Sequence, residues 1–195
     1  MYPVMLNVDG KKCVIAGGGQ TALRKAKKLS DCGAKVTVIS PDFCDGFDFA
    51  EKIQSEYKPE YIKNSFLVIA ATNNSETNKQ IADDAQKEGI LVSLADNSEQ
   101  SDFMSPCSQT TGNITLSVST NGKYPILAKK LCKKNMYDMV FYNELLPLLE
   151  EYRRQILLKH RDTKNELLEY LISDEMISLA KKDVKLFKAK ADKVI

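Results

Sequence analysis

The sequence has no tryptophan and a single histidine, His160, among its 195 residues. One imidazole cannot build a histidine-based metal centre. Its highly charged neighbourhood reads as solvated surface. The five cysteines, Cys13, Cys32, Cys44, Cys107 and Cys132, are odd in number and include no C-x-x-C pair. That argues against a disulfide framework and against a zinc site, so no metal ligands are expected. No apolar run approaches the roughly 20 residues of a membrane span. The segment Met1 to Val8 is too short and uncharged for a signal peptide. The expectation is a cytoplasmic protein with no membrane partner. Neither sign of charge dominates, since the formal net charge is +2. Basic clusters occur at Arg24, Lys25, Lys27 and Lys28 and at Lys129, Lys130, Lys133 and Lys134, but no aromatic ladder accompanies them. Nucleic acid is therefore not an expected partner.

What is present is an alternation of strand and helix over the first hundred residues. Cys13-Val14-Ile15-Ala16 reads as a buried parallel strand. Thr21 to Asp31 reads as a helix with Ala22, Ala26 and Leu29 on one face and lysines on the other, stopped at Gly33. Lys35 to Ser40 is β-branched and reads as a second strand. One short strand is expected before Lys63. Phe66 to Ala71 is another apolar strand, and Ser75 is expected to cap a helix ending near Lys87. Ile90 to Ala95 is a further strand, closing on Asp96. Continuous apolar strands between amphipathic helices imply a parallel sheet covered on both faces, an α/β fold.

The pattern then changes. Residues 98–112 read as polar and irregular. Ile114 to Ser119 alternates as a strand with one wet face. Pro125 is placed to start a helix, and from about Asn135 the chain reads as helical. Leu145, Leu146, Leu148, Leu149, Leu157 and Leu158 have packing spacing, and Thr163 with Glu166 suggests a later cap. The expected domains are 1–112, a nucleotide-binding domain, 113–140, a dimerisation segment, and 141–195, a small helical domain.

The chemistry begins at Gly17-Gly18-Gly19-Gln20-Thr21-Ala22, a G-x-G-x-x-A match between a strand and a helix. Gly17 permits the tight turn, Gly19 lets a pyrophosphate approach the backbone, and Ala22 allows close helix–sheet packing. The helix N-terminus offers free N–H groups to phosphates. In this strand–loop–helix context the motif points to a dinucleotide. Asp42, just past the second strand, is placed to meet a ribose 2′-hydroxyl. No arginine stands there for a 2′-phosphate, so NAD is expected over NADP.

A set of motifs follows in one order: Tyr2-Pro3-Val4; Gly17-Gly18-Gly19 with Arg24-Lys25; Val68-Ile69-Ala70-Ala71-Thr72-Asn73; Asp96; Ser101-Asp102-Phe103 with Pro106; and Ser119-Thr120-Asn121-Gly122 with Pro125. Over residues 1–135 this resembles the siroheme synthase family in its precorrin-2 dehydrogenase and sirohydrochlorin ferrochelatase form. The resemblance implies a Rossmann-type domain, then a dimerisation region and a helical domain, in a homodimer. It implies NAD-dependent oxidation of the tetrapyrrole precorrin-2 to sirohydrochlorin, with ferrous iron insertion to siroheme in some members. It also implies roles for particular residues. Gln20, Thr21, Thr72, Pro41 and Asp42 would contact the cofactor, and Asp96 would be the catalytic carboxylate. Thr120, Asn121 and Gly122 would shape the tetrapyrrole cleft. Ser93, Ser101 and Tyr124 depart from the family pattern. At this length the chain is not expected to carry a methyltransferase domain as well.

Asp96, at the carboxyl end of a strand, suits a general base. A substrate rich in carboxylates would call for cations, for which Arg24, Lys25, Lys129 and Lys130 are candidates. The competing reading is a regulatory NAD-binding redox sensor without catalysis. It would explain the glycine loop equally well, but not Asp96 together with the motifs from 102 to 125.

Overall fold

The computed structural model describes residues 1–97 and 99–195; Ser98, the first residue of the stretch read as irregular, lies outside them. The described chain divides into two compact units, Met1–Ser105 and Pro106–Ile195.

The first unit is built on five parallel strands, β1 (Lys12–Ala16), β2 (Lys35–Ser40), β3 (Glu51–Gln54), β4 (Leu67–Ala70) and β5 (Leu91–Leu94). Their order across the sheet is β3-β2-β1-β4-β5. The chain therefore works outward from β1 on one side, then crosses back to place β4 against the other edge of β1. That reversal leaves a crevice at the carboxyl ends of β1 and β4, where open α/β sheets bind ligands.

The strands are apolar on both faces because both faces are covered. Cys13, Ile15, Val38 and Ile69 pack with Ala22 and Ala26 of α1 (Gln20–Asp31) and with Phe47. Val14, Ala16, Val68 and Val92 pack with Ile81, Ala82 and Ala85 of α2 (Ser75–Lys87). Ala22 and Ala26 are fully buried, so α1 can lie close to the sheet. Cys13 is fully buried too, and burial pushes its thiol up to about 11. An apolar site disfavours the thiolate, so Cys13 serves as core.

The end of α1 and the start of α2 have local causes. Gly33, at φ +82°, ends α1 and donates its N–H to Ser30 O. At the start of α2 the cap is Asn74, not Ser75. The Asn74 carboxamide accepts from the N–H groups of Glu76 and Thr77, at 2.9 and 3.1 Å. Ser75 is already the first helical residue, and Asn is at least as good a cap as Ser.

The second unit opens with a hairpin rather than an irregular stretch. β6 (Cys107–Thr111) pairs antiparallel with β7 (Ile114–Val118). The expected boundary at 112/113 thus falls inside the hairpin turn, while the break between compact units comes before β6, at 105/106. β7 alternates between half-buried and exposed residues, as its pattern implies. Helix α3 (Pro125–Lys134) starts on Pro125. α4 (Met136–Lys159) runs through the expected boundary at 140/141. The helices α5 (Lys164–Leu171), α6 (Asp174–Lys182) and α7 (Val184–Ala191) follow.

Leu145, Tyr152, Ile156, Met176 and Phe187 form the core of this helical part. Leu148 and Leu149 pack against it, but Leu158 is 80% exposed and belongs to the outer face of α4. Thr163 precedes α5 without a side-chain cap bond, whereas Ser173 and Asp183 do cap α6 and α7. Among the described residues, no helix is long and apolar enough to cross a membrane.

Candidate functional site

Hydrogen bonds continue past the strand ends and stitch four loops into a row. Gly17 N–H donates to Ile39 O, Ala71 N–H to Ala16 O and Ala95 N–H to Ala70 O, each at 2.8 Å. The carboxyl edge therefore presents, in order, the loops after β2, β1, β4 and β5. These carry Pro41 and Asp42, then Gly17 to Gly19, then Thr72, then Asp96. Asp96 stands two strand spacings from the glycine loop, about 10 Å across the sheet.

The glycine loop shows three different needs. Gly17 has φ +122°, and a Cβ there would run into the Ala71 carbonyl and come within 3.1 Å of the Thr72 nitrogen. Gly18 has no room for a side chain because the Asp42 carbonyl and the Ser40 side chain press against it. Its carbonyl also accepts from Cys44 N–H at 2.9 Å, which folds the 41–44 loop over it. A Cβ on Gly19 would meet nothing within 4 Å. Protein packing gives no reason for glycine at that position, whereas an approaching ligand does.

Gly19 is the N-cap of α1, and no side chain caps the helix. The first N–H groups of a helix have no partner within it, so those of Gln20 and Thr21 are available to an anion. Gln20 and Thr21 have exposed side chains, and Ala22 is buried beneath the loop. A cleft of about 650 Å³ opens here. It is lined by the three glycines, by Pro41 and Asp42, and by Thr72. The sequence reading missed the wall contributed by Ser55, Glu56 and Tyr57. They reach it because β3 pairs with β2, so the loop after β3 ends beside the loop after β2. Tyr57 donates to Asp84 Oδ2 of α2 at 3.3 Å. Burial, then the charge and hydrogen bond of Asp84, push the phenol well above its ordinary range, which fixes it as a neutral wall. The residues present fit a dinucleotide: a side-chain-free cradle, a helix terminus with no side-chain cap, and a cleft of about 650 Å³.

Asp96 is exposed at the end of β5 and borders a second cleft of about 520 Å³, with Ser75, Glu76, Lys79, Leu94, Asn97 and Gln100. The turn that carries it is tied down on its far side. Ser101 Oγ accepts from Leu94 N–H and donates to Asn97 O, both at 2.9 Å. Asp102 exchanges two 2.9 Å bonds with Val92: its backbone N–H donates to Val92 O and its carboxylate accepts from Val92 N–H. The Asp102 carboxylate is thus committed to the backbone, while exposed Asp96 accepts from Asn78 Nδ2 at 2.9 Å on Oδ2 alone among the described residues. Lys79, one turn into α2, is a cation on this cleft, and nothing in its local sequence marked it.

Arg24 and Lys25 line neither cleft. Lys25 is half-buried on α1; burial, then the neighbouring charges of Arg24 and Lys28, lower its pKa. Thr120, Asn121 and Gly122 belong to the second unit, in the turn between β7 and α3. Asn121 and Gly122 both adopt positive φ, at 51° and 78°, and the Thr120 hydroxyl accepts from Tyr124 N–H at 3.1 Å. Lys129 and Lys130 are exposed on α3. Among the described residues, no group of three His, Cys, Asp or Glu side chains could hold a metal ion.

The NAD(P)-binding family model NAD_binding_7 matches residues 4–107, the span that holds the glycine loop, the cleft and Asp96. The chain belongs to this NAD(P)-binding family. It is similar to the siroheme synthase of Chromobacterium violaceum, 33% identical over 136 residues, which is 67% of this chain and 29% of that protein. It is also similar to the siroheme synthase of Psychrobacter arcticus, 32% identical over 166 residues, which is 81% of this chain and 30% of that protein. The chain spans about three-tenths of the length of these curated relatives. A solved structure described as SirC, precorrin-2 dehydrogenase, matches with a TM-score of 0.78 at 25% identity, covering 99% of this chain and 100% of that one. These likenesses accord with the siroheme synthase resemblance that the chain's motif order carries.

Proposed function

We propose that this protein oxidises precorrin-2 to sirohydrochlorin with NAD as the hydride acceptor. The observation that carries the reading is Asp96: an exposed carboxylate, held by one oxygen, at the carboxyl edge of the sheet that also bears the glycine loop. The relatives' names supply the substrate class.

When bound, the nicotinamide cofactor supplies the hydride acceptor, the part of the chemistry that side chains cannot perform. The chain's task is to hold and orient. Gly17 and Gly18 set the loop, Gly19 leaves the approach to its backbone open, and the first N–H groups of α1 meet the pyrophosphate. Pro41, Asp42, Glu56 and Tyr57 form the adenosine end. Among the described residues lining this cleft are two carboxylates, Asp42 and Glu56, and no lysine or arginine. A 2′-phosphate would meet negative charge there, whereas a ribose hydroxyl would find acceptors; this supports NAD over NADP. Thr72 stands between the two clefts at the end of β4. The substrate loses a hydride and a proton, and Asp96 accepts the proton on its outward oxygen. Lys79 beside Asp96 would meet a carboxylate of the macrocycle, and for the Thr120 to Gly122 loop of the second unit a substrate-binding role is proposed separately. Arg24 and Lys25 have less support, since they line neither cleft. Iron insertion would use the same carboxylate to take up a pyrrole proton, with ferrous iron as substrate. We place the reaction in the cytoplasm, where cysteine thiols stay reduced, and in a homodimer.

The test is anaerobic incubation of the protein with precorrin-2 and NAD, following sirohydrochlorin and NADH by absorbance, with NADP in a parallel arm and Asp96→Asn alongside. We expect stoichiometric formation of both products with NAD, at least tenfold less with NADP, and a loss of 100-fold or more in kcat with Asp96→Asn while NAD still binds. NAD binding without reduction in the wild type would defeat the enzymatic reading in favour of a redox sensor. Ferrous iron added afterwards tests chelation.

A further inference from the structure

Asn78 occupies the fourth position of α2 and is 1% exposed. Both facts are costly for asparagine, which is a weak helix former and whose carboxamide must be satisfied when buried. All four of its hydrogen-bonding valences are in fact used. Its Oδ1 accepts from the Thr72 N–H at 3.1 Å and faces the Thr72 hydroxyl at 2.7 Å. Its Nδ2 donates to Thr72 O at 3.2 Å and to Asp96 Oδ2 at 2.9 Å. A single buried side chain therefore joins the loop after β4 to the loop after β5. The Thr72 loop borders the dinucleotide cleft, and the Asp96 loop borders the second cleft.

The bond to Asp96 is directional. It engages Oδ2, while among the described residues Oδ1 has no protein partner. A carboxylate on an exposed turn would otherwise rotate among several rotamers. Tied at one oxygen to a group that is itself locked by three bonds to Thr72, it presents the other oxygen in one direction. An alanine at position 78 would suit helix formation better, so helix propensity does not explain an asparagine there.

We propose that Asn78 is a positioning residue: it aims Asp96 at the substrate and fixes that aim relative to Thr72, and hence to the dinucleotide cleft that Thr72 lines. The inference rests on the dehydrogenase reading above. It adds a residue that touches neither substrate nor cofactor, yet sets the geometry between the proton acceptor and the hydride acceptor.

The experiment compares Asn78→Asp and Asn78→Ala with the wild type, and uses Ile81→Val as a control. Asn78→Asp keeps an acceptor toward the Thr72 N–H but sets a carboxyl oxygen, in place of the donor, against both Asp96 and the Thr72 carbonyl. Ile81 lies one turn further along α2 in the core, away from both clefts. For each protein, NAD affinity is measured by calorimetry, kcat and KM by NADH formation from precorrin-2, and folding by thermal unfolding, with kinetics run well below the transition. We expect Asn78→Asp to bind NAD within about threefold of wild type while kcat falls at least 30-fold. Asn78→Ala, which removes every bond to Thr72, should lose kcat to a similar extent and weaken NAD binding further. Ile81→Val should lower the unfolding temperature and leave kcat unchanged. Turnover by folded Asn78→Asp at the wild-type rate would overturn the positioning role and leave the function standing. A fall in kcat matched by Ile81→Val at equal loss of stability would assign Asn78 to folding alone, overturning it too. A wild type that binds NAD but forms no NADH would overturn both readings.

Discussion

Two glycines in the same loop should respond to alanine in opposite ways. At Gly17 the backbone is at φ +122°, a region all but closed to L-residues, and the new Cβ would drive into the Ala71 carbonyl. Strain of this kind costs about 1–3 kcal/mol, and overpacking against backbone that cannot withdraw costs about 1–3 kcal/mol more. Gly17→Ala should therefore lose roughly 2–6 kcal/mol, a large part of a typical net stability of about 5–15 kcal/mol. At Gly19 the backbone is extended, with φ −88° and ψ −179°, and a Cβ meets nothing within 4 Å. There the cost is the poorer capping preference of alanine, about 0.5–1 kcal/mol. The same methyl would occupy the approach to the helix N-terminus, and NAD affinity should fall at least tenfold, which is about 1.4 kcal/mol. Denaturant unfolding followed by circular dichroism measures the first quantity, and calorimetric titration with NAD the second. If both variants lost the same stability, or if Gly19→Ala bound NAD as tightly as wild type, the division of the loop into a packing glycine and a ligand glycine would be refuted.

The Cys13 thiol, raised from an ordinary 9.0 to about 11 by burial, makes stability pH-dependent. Between those values the unfolded chain has released this proton and the folded one has not, so folding stability falls as pH rises through that window, by about 2–3 kcal/mol in all. Cys13→Ala should unfold at a lower denaturant concentration at pH 8 but show a shallower decline from pH 9 to 11 in the same assay. Asn74→Ala removes the acceptor for two α2 N–H groups and should cost about 1 kcal/mol in denaturant unfolding. An unchanged midpoint would mean that water caps α2 equally well.

The first unit was legible in the sequence because its strands are buried on both faces. Such strands read as uninterrupted apolar runs, and the helices between them show one apolar stripe each. Lys35 to Ser40 begins and ends in the structure where its β-branched run does. The glycine motif was legible for a related reason: chain geometry restricts those positions to glycine, whatever the rest of the fold does. β6 was not legible. Its residues, Cys-Ser-Gln-Thr-Thr, carry no apolar pattern, and it is a strand because β7 stands opposite to pair with it.

Local composition determined where β1, β2, β4 and β5 lie, that they must be interior, and that a turn built for phosphate follows β1. The tertiary structure alone decided which loops share the carboxyl edge. Glu56 and Tyr57 join the cleft only through the pairing of β3 with β2, and Asn78 meets Asp96 across 18 positions of sequence only because β4 and β5 are neighbours. A propensity acts on a residue and its near neighbours along the chain. A hydrogen bond between loops depends on strand order, which is settled by the whole sheet at once.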